Sequence, residues 1–187
     1  MMHRYIDWIW IATGIVWMLG SMNVKRAERV ERLGPRAIHM VMMTAAFALL
    51  FWPRLSAGLL AWRFVPESPA IEWTGLAVTA AGCAFAIWAR LMLGRNWSGR
   101  VTIKQDHRLV RRGPYAIVRH PIYTGGLLAL AGTALAFGEL RCLFGCALVF
   151  IGWYAKSRRE EAFMVAQFGD EYVQYRREVK ALIPFVV

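Results

Sequence analysis

Two short polar groups in this chain are the best placed to do chemistry, and each borders an apolar stretch. The first is the turn Arg119-His120-Pro121, which has Tyr123 two residues further on. The second is the carboxylate pair Glu160-Glu161, which follows another apolar stretch. Ionisable side chains at the edge of an apolar segment are costly unless they are paired or used. We therefore treat these two groups as the candidate binding or catalytic residues.

Each of these residues also has a purely structural interpretation. Arg119 could be a cation that fixes topology at the membrane surface, and His120 could bond a backbone carbonyl where a helix begins. Tyr123 could belong to an interfacial aromatic belt. Adjacent residues on a helix point about 100° apart. At most one of Glu160 and Glu161 therefore faces a given pocket, and the other would be paired or solvated.

Other catalytic chemistries find little support in the sequence. The four histidines and three cysteines show no metal-ligand spacing, so no metal site is predicted. Neither a Ser/His/Asp order nor a phosphate-binding glycine loop is recognisable. The cysteines all lie inside apolar stretches and are expected to be buried and reduced. A third polar group at residues 96–107, which includes Trp97 and His107, says little by itself.

The elements that must position these groups are apolar helices. Of the 187 residues, 58% are hydrophobic, against roughly 45–50% in an ordinary soluble domain. Five stretches carry no charge, and the four longer ones would give roughly 24–26 Å of helix, close to the roughly 30 Å hydrocarbon core. The stretches are Trp8–Val24, Ala37–Trp52, Trp73–Ala89, Ile122–Gly138 and Cys142–Ala155. This pattern predicts an all-α polytopic membrane protein with about five transmembrane helices.

The last two stretches are expected to form a helical hairpin, spans 4 and 5. Only the segment Gly138–Arg141 separates them, and a connection of this length is typical of antiparallel helices. The fifth stretch is short for a span, but Trp153 and Tyr154 supply an interfacial anchor after it. Beyond it, apolar residues recur at steps of three and four, with a break near Gly169. They predict a cytosolic C-terminal amphipathic helix.

Basic residues are unevenly distributed between the connections. Of the 23 Lys and Arg residues, 19 lie in the segments Lys25–Arg36, Arg90–Arg119 and Lys156–Lys180. These segments alternate with connections that hold the other four. The positive-inside rule then predicts an N-terminus outside and a C-terminus in the cytosol, in the inner membrane if the source is bacterial. The net charge of +11 is therefore interpreted as a topology signal, with no nucleic-acid partner.

The C-terminal half carries motifs that resemble a known family. The motif GPYxxxRHPxYxG spans Gly113–Gly125, and Glu160-Glu161 follows about 35 residues later. The chain then continues with FGxxYxxY at Phe168–Tyr175 and ends near Leu182-Ile183-Pro184. In order and spacing these motifs resemble the isoprenylcysteine carboxyl methyltransferase family, which is related to the phospholipid N-methyltransferases. We accordingly divide the chain into a three-span membrane region, residues 1–93, and a methyltransferase half, residues 94–187.

The resemblance implies an integral membrane methyltransferase that uses S-adenosyl-L-methionine and releases S-adenosyl-L-homocysteine. A lipid-like substrate with a carboxyl, thiol or amine head group would enter from the bilayer. The cofactor-binding residues carried over by position are His107, Leu109, Gly113, Tyr115, Arg119, His120, Pro121, Tyr123, Gly125, Glu160 and Glu161. The catalytic residues carried over are Arg119, Arg159, Glu160 and Glu161.

The chemistry of the implied cofactor is compatible with these residue types. A glutamate can bind an ammonium group, while Arg119 or His120 can bind a carboxylate. The faces of Tyr115 and Tyr123 favour a sulfonium cation. Since methyl transfer is an in-line displacement, the main task of the protein is to orient the reactants in a dry site.

The sequence departs from the family pattern in one place. The eukaryotic enzymes carry an Arg a turn before the two glutamates, where this chain has Lys156, and Arg158 and Arg159 are other candidates. A lysine cannot reproduce the two-pronged contact of a guanidinium group. The identity of the cation that orients the substrate is therefore open at this stage.

Three other functions remain as alternatives. An NADPH-dependent enzyme like the sterol reductases would share a similar C-terminal half. A small transporter would need polar groups in the middle of several spans, and these apolar stretches contain few. A non-catalytic membrane protein could retain the pocket without the reaction.

Overall fold

The computed structural model describes residues 2–21, 27–30, 33–94, 102–104, 109–184 and 186. Within them the helices are α1 (Met2–Ser21), α2 (Leu33–Phe51), α3 (Pro69–Leu93), α4 (Pro121–Phe137), α5 (Leu140–Phe168) and α6 (Asp170–Glu178). Short 3-10 turns cover Pro53–Leu55, Gly58–Ala61 and Gly113–Ala116. The helical character predicted from the sequence is confirmed, and α5 and α6 separate at Gly169 as expected.

A pair of short strands accompanies the helices. Strand β1 (Ala27–Val30) pairs antiparallel with strand β2 (Thr102–Lys104), with an irregularity between Ala27 and Arg29. The strands join the connection after α1 to the connection after α3. Segments of three or four residues are too short to show the alternating pattern that identifies a strand. Sequence periodicity therefore could not detect this pair.

Helices that follow one another along the chain run in alternating directions. α1 and α3 are parallel, because Tyr5 stacks on Trp73 near their starts and Arg90 donates to the Gly20 carbonyl near their ends. α2 and α5 are antiparallel, because Arg141 at the start of α5 donates to carbonyls in the last turn of α2. This order of directions is the one that successive crossings of a membrane would produce.

α3 and α4 make the closest helix contact. A Cβ atom added to Gly82 would lie 2.3 Å from the Ala129 nitrogen, and one added to Gly75 would lie 2.6 Å from the Ala136 nitrogen. Only glycine allows two backbones to approach so closely, as is common between helices in membranes. The predicted hairpin partner of α4 was α5, yet its tightest packing is against α3. The cause is the glycine spacing shared by α3 and α4.

A hydrogen-bonded polar group lies inside this bundle. Trp10 of α1 donates from Nε1 to Thr133 Oγ1 at 3.0 Å, and the Thr79 and Thr133 hydroxyls lie 3.2 Å apart. Both threonines also bond to carbonyls of their own helices. Paired in this way, the buried hydroxyls avoid the cost of unsatisfied polar groups and join α1 to α3 and α4.

Two of the described helices, α3 and α5, are long and apolar enough to cross a membrane. Arg36–Phe51 and Pro121–Phe137 are shorter apolar helices. α5 extends well beyond the apolar stretch Cys142–Ala155, so the two adjacent glutamates lie within a continuous helix of 29 residues. The length of α5 therefore carries the acidic pair past the apolar part of the bundle.

Candidate active site

The first turn of α4 is held by the C-terminal segment of the chain. The backbone nitrogens of Arg119 and His120 donate to the carbonyls of Lys180 and Ala181, at 2.8 and 2.9 Å. The Thr124 hydroxyl donates to the Leu182 carbonyl at 2.6 Å. Pro121, at the first helical position, lacks the N–H that would otherwise need a partner there. The orientation of Arg119 and His120 is thus fixed by backbone contacts.

Arg119 and Glu161 form a buried ion pair between this turn and α5. Glu161 Oε1 accepts from Arg119 Nε at 2.8 Å and from Arg119 Nη2 at 2.6 Å, and the two side chains are 8% and 3% exposed. Arg119 Nη1 donates to the carbonyls of Arg176 and Val179. Because so many of its donors are used within the protein, Arg119 mainly fixes the position of Glu161.

The second carboxylate oxygen of Glu161 has a different environment. Oε2 lies 3.2 Å from Arg176 Nε, an ion-pair distance, but accepts no hydrogen bond within the described part of the chain. His120 Nε2 lies 3.3 Å from the other oxygen. Glu161 therefore combines a fixed carboxylate with one buried acceptor that can still receive a hydrogen bond.

Glu160 lies on the adjacent face of α5 and contacts other groups. Its Oε1 accepts from the Tyr123 hydroxyl at 2.8 Å and lies 3.9 Å from Lys156 Nζ. Its Oε2 lies 3.6 Å from His120 Nδ1. His120 thus lies between the two carboxylates, and the structure brings both of them to the same turn. The expectation that only one could face the site is wrong, because the α4 turn presents side chains to both faces.

A second layer of tyrosines supports the site from the side of α6. Tyr175 donates its hydroxyl to the Tyr115 carbonyl, and Tyr115 donates to the Ala89 carbonyl at 3.4 Å. Burial raises the pKa of Tyr175 to about 12, although the nearby Arg119 and Arg111 oppose the shift, and burial also raises the pKa of Tyr115. Both phenols are therefore neutral at ordinary pH and act as hydrogen-bond donors and apolar walls.

Comparison with known proteins identifies the family. Residues 73–166, half of the chain, match the model of the Isoprenylcysteine carboxyl methyltransferase (ICMT) family. The chain belongs to the ICMT family. The matched residues run from the beginning of α3 to the last turns of α5, and they include the α4 turn and both glutamates.

Named relatives agree with this assignment. A protein-S-isoprenylcysteine O-methyltransferase of Schizosaccharomyces pombe is 39% identical over 103 residues, which are 52% of this chain and 43% of that protein. The protein of the same name from Homo sapiens is 30% identical over 129 residues, which are 66% of this chain and 45% of that protein. This ICMT-family chain thus spans about half the length of these two relatives.

A solved structure has a related fold. The structure of a eukaryotic intramembrane Ras methyltransferase ICMT (isoprenylcysteine carboxyl methyltransferase) is 28% identical to this chain, with a TM-score of 0.55. The similarity covers 84% of this chain and 55% of that one. It therefore extends beyond the residues that match the family model.

The remaining residues carried over from the ICMT motifs lie at varied places. Leu109 is half-buried in the connection before the 3-10 turn, and Gly113 begins that turn with φ +61°. Gly125 faces α3, where an added Cβ would lie 2.6 Å from the Ala86 nitrogen. Arg159 is half-buried on α5. His107 and most of the polar group at residues 96–107 lie outside the described residues.

Sequence reasoning missed three residues that contact this ICMT-family site. Arg176 pairs with Glu161, and Trp153 stacks on Tyr123 with ring centroids 5.2 Å apart. Gly126 lies under the Trp153 ring. The second glycine of the Gly-Gly pair and the spacing of Trp153, a helix turn before Lys156, were the available signals.

Proposed function

We propose that this protein is an integral membrane methyltransferase that uses S-adenosyl-L-methionine and acts on a lipid-like or isoprenoid-bearing substrate. The observation that carries the proposal is the meeting of the α4 turn with the acidic part of α5, where Arg119 and His120 contact Glu161 at 2.6 to 3.3 Å. Membership of the ICMT family supports the reaction type. The named relatives support an isoprenylcysteine as the class of methyl acceptor.

The membrane arrangement is part of this proposal. We assign five spans, with spans 4 and 5 as a hairpin, an outer N-terminus and a cytosolic C-terminus. The alternating helix directions support this order, and the positive-inside rule supports the orientation. The division into a membrane region at residues 1–93 and a methyltransferase half at residues 94–187 is retained. The active site would then face the cytosol beneath the lipid headgroups.

The residues at the site fit the proposed cofactor. S-adenosylmethionine presents an ammonium group, a carboxylate and a sulfonium cation. Glu161 Oε2 is a buried acceptor without a hydrogen bond from the described residues, which suits an ammonium donor. The Tyr123 ring already stacks against His120 and Trp153, with ring centroids 5.5 and 5.2 Å away, so Tyr115 is the remaining aromatic candidate for contact with a cationic sulfur. When bound, the cofactor supplies an electrophilic methyl group.

The chain's own residues then have distinct tasks. Arg119 positions Glu161, because its guanidinium donors are directed to that carboxylate and to backbone carbonyls. Buried tyrosines and the C-terminal segment exclude water from the site. The transfer requires the acceptor within about 3–3.5 Å of the methyl carbon, and exclusion of water strengthens the orienting charges. Little acid–base chemistry is needed from side chains.

The substrate head group has a candidate cation. Lys156 is 12% exposed, lies over the Tyr123 ring at 5.6 Å and approaches Glu160, whereas Arg158 is exposed. An ammonium group already within the site can contact an anionic head group without a large rearrangement. We therefore assign Lys156 in preference to Arg158 as the group that orients a substrate carboxylate.

Calorimetric titration with S-adenosylhomocysteine, followed by transfer of a labelled methyl group to an S-prenylated cysteine, tests the proposal. Glu161→Gln is expected to weaken binding by about 2–3 kcal/mol through loss of a buried charge partner. Glu171→Gln, at an exposed glutamate of α6, is the matched control and should bind normally. Absence of binding by the folded protein contradicts the proposal, and stabilisation by NADPH in its place favours a reductase.

A further inference from the structure

A column of three stacked rings runs from the α4 turn towards the apolar part of α5. The rings of His120 and Tyr123 have centroids 5.5 Å apart and an interplanar angle of 8°. The rings of Tyr123 and Trp153 have centroids 5.2 Å apart and an angle of 23°. The Tyr123 ring therefore stacks against two other aromatic groups, at separations typical of stacked pairs.

Trp153 occupies its place because residue 126 is glycine. A Cβ atom added to Gly126 would lie 2.4 Å from Trp153 Cη2 and 2.6 Å from Trp153 Cζ3. Both distances are far below van der Waals contact, so any larger residue at this position would displace the indole. A broad, rigid ring seated on a helix backbone cannot shift without losing its stack with Tyr123.

The hydroxyl of Tyr123 connects this column to the acidic pair. It donates to Glu160 Oε1 at 2.8 Å, and Lys156 lies 3.9 Å from the same oxygen. A phenol hydrogen prefers the plane of its ring, so the plane of Tyr123 restricts the directions in which the hydroxyl group can donate. The orientation of Glu160 therefore depends on the position of Trp153, two helix turns earlier on α5.

We infer that Trp153, seated on Gly126, is a positioning residue that orients Glu160 through Tyr123. The inference rests on the proposed function, because it assigns Glu160 to cofactor binding. Trp153 touches none of the reacting atoms in this scheme. Through Tyr123 it keeps the Glu160 carboxylate in one orientation before the cofactor binds, which lowers the reorganisation needed on binding.

The test is calorimetric titration of the detergent-solubilised full chain with S-adenosylhomocysteine. Trp153→Leu, Gly126→Ala and Tyr123→Phe are each expected to raise Kd about tenfold, the loss typical of a hydrogen bond to a charged group. Trp153→Phe, which keeps an aromatic face, should stay within about threefold of the wild type. Gly14→Ala is the matched glycine control, because an added Cβ there meets no atom within 4 Å.

The double variant Trp153→Leu/Tyr123→Phe separates positioning from general stability. If Trp153 acts through the Tyr123 hydroxyl, the double variant binds only about as weakly as either single variant, because the two changes remove the same interaction. Losses that multiply to about a hundredfold, as for independent sites, overturn the inference. So does an unchanged Kd with a reduced binding stoichiometry, which indicates partial unfolding alone. If the folded wild type gives no heat, the proposed function falls together with this inference.

Discussion

Removal of one partner from the buried pair between Arg119 and Glu161 should destabilise the protein far more than the same change in an exposed pair of equal length. The chain offers a direct comparison, because Arg111 Nη2 lies 2.6 Å from Glu178 Oε2 and Arg119 Nη2 lies 2.6 Å from Glu161 Oε1. The side chains of the first pair are 33% and 49% exposed, whereas those of the second are 8% and 3% exposed. The two pairs therefore differ in burial, and the buried pair also has a second hydrogen bond, from Arg119 Nε.

The expected magnitudes follow from these contacts. Glu161 Oε1 accepts two bonds from Arg119, and each hydrogen bond to a charged group contributes about 1.5–3 kcal/mol. Removal of one partner from a buried pair costs about 3–5 kcal/mol, because the other charge stays buried without compensation. Glu161→Ala should therefore lower the free energy of unfolding by about 3–5 kcal/mol. Glu178→Ala should lower it by no more than about 1 kcal/mol.

Circular dichroism during titration with a denaturing detergent measures both values in mixed micelles. Arg119→Ala and the double variant Arg119→Ala/Glu161→Ala complete a double-mutant cycle. The double variant should lose less stability than the two single variants together, because it leaves neither charge of the pair buried without its partner. Equal losses for Glu161→Ala and Glu178→Ala, or a double variant as unstable as the sum of the single ones, would refute the reasoning.

Two further predictions concern packing and titration. Gly82→Ala should lower the midpoint of thermal unfolding by several degrees while Gly14→Ala does not, because the added Cβ meets the Ala129 backbone at 2.3 Å in the first case and no atom within 4 Å in the second. Since the pKa of Tyr175 is raised from 10.0 to about 12, the neutral phenol stabilises the fold below pH 10, and this contribution is lost as the pH rises towards 12. Unfolding measured across this range should show a smaller decline in Tyr175→Phe, and an equal decline in both proteins would contradict the assignment.

The helices were predictable because their apolar stretches are long and uncharged. The predicted stretch Trp73–Ala89 lies within α3, and Ile122–Gly138 matches α4 to within one residue at each end. The partner of α4 was not predictable from the length of its connection to α5. The pairing of α4 with α3 depends on Gly75 and Gly82, which face glycines of α4. Such pairing requires that the small residues of two helices meet, and the sequence of one helix does not show which other helix it will meet.

The composition of the site could be predicted in part, but its contacts could not. Arg119, His120 and Tyr123 were identified by their motif, and the structure brings them to Glu160 and Glu161. Their roles in binding remain predictions. The sequence suggested that Arg119 binds the ligand, whereas most of its donors are directed to protein acceptors. An arginine can bind a ligand only with N–H groups that are not already bonded within the protein. For Arg119 this depends on distant acceptors such as the Val179 carbonyl, 60 residues away in sequence.

Three consecutive residues in the first turns of α4 explain why the site depends on distant parts of the chain. Thr124 bonds the C-terminal segment, Gly125 faces the backbone of α3, and Gly126 lies under Trp153 of α5. Consecutive positions on a helix point about 100° apart, so these three contacts surround the helix and leave it little freedom to rotate or slide. The position of Arg119, just before this helix, therefore depends on the contacts of α4 with three separate elements. A change at the Thr124 contact with Leu182 should therefore move Arg119 relative to Glu161, even though Thr124 does not touch that ion pair.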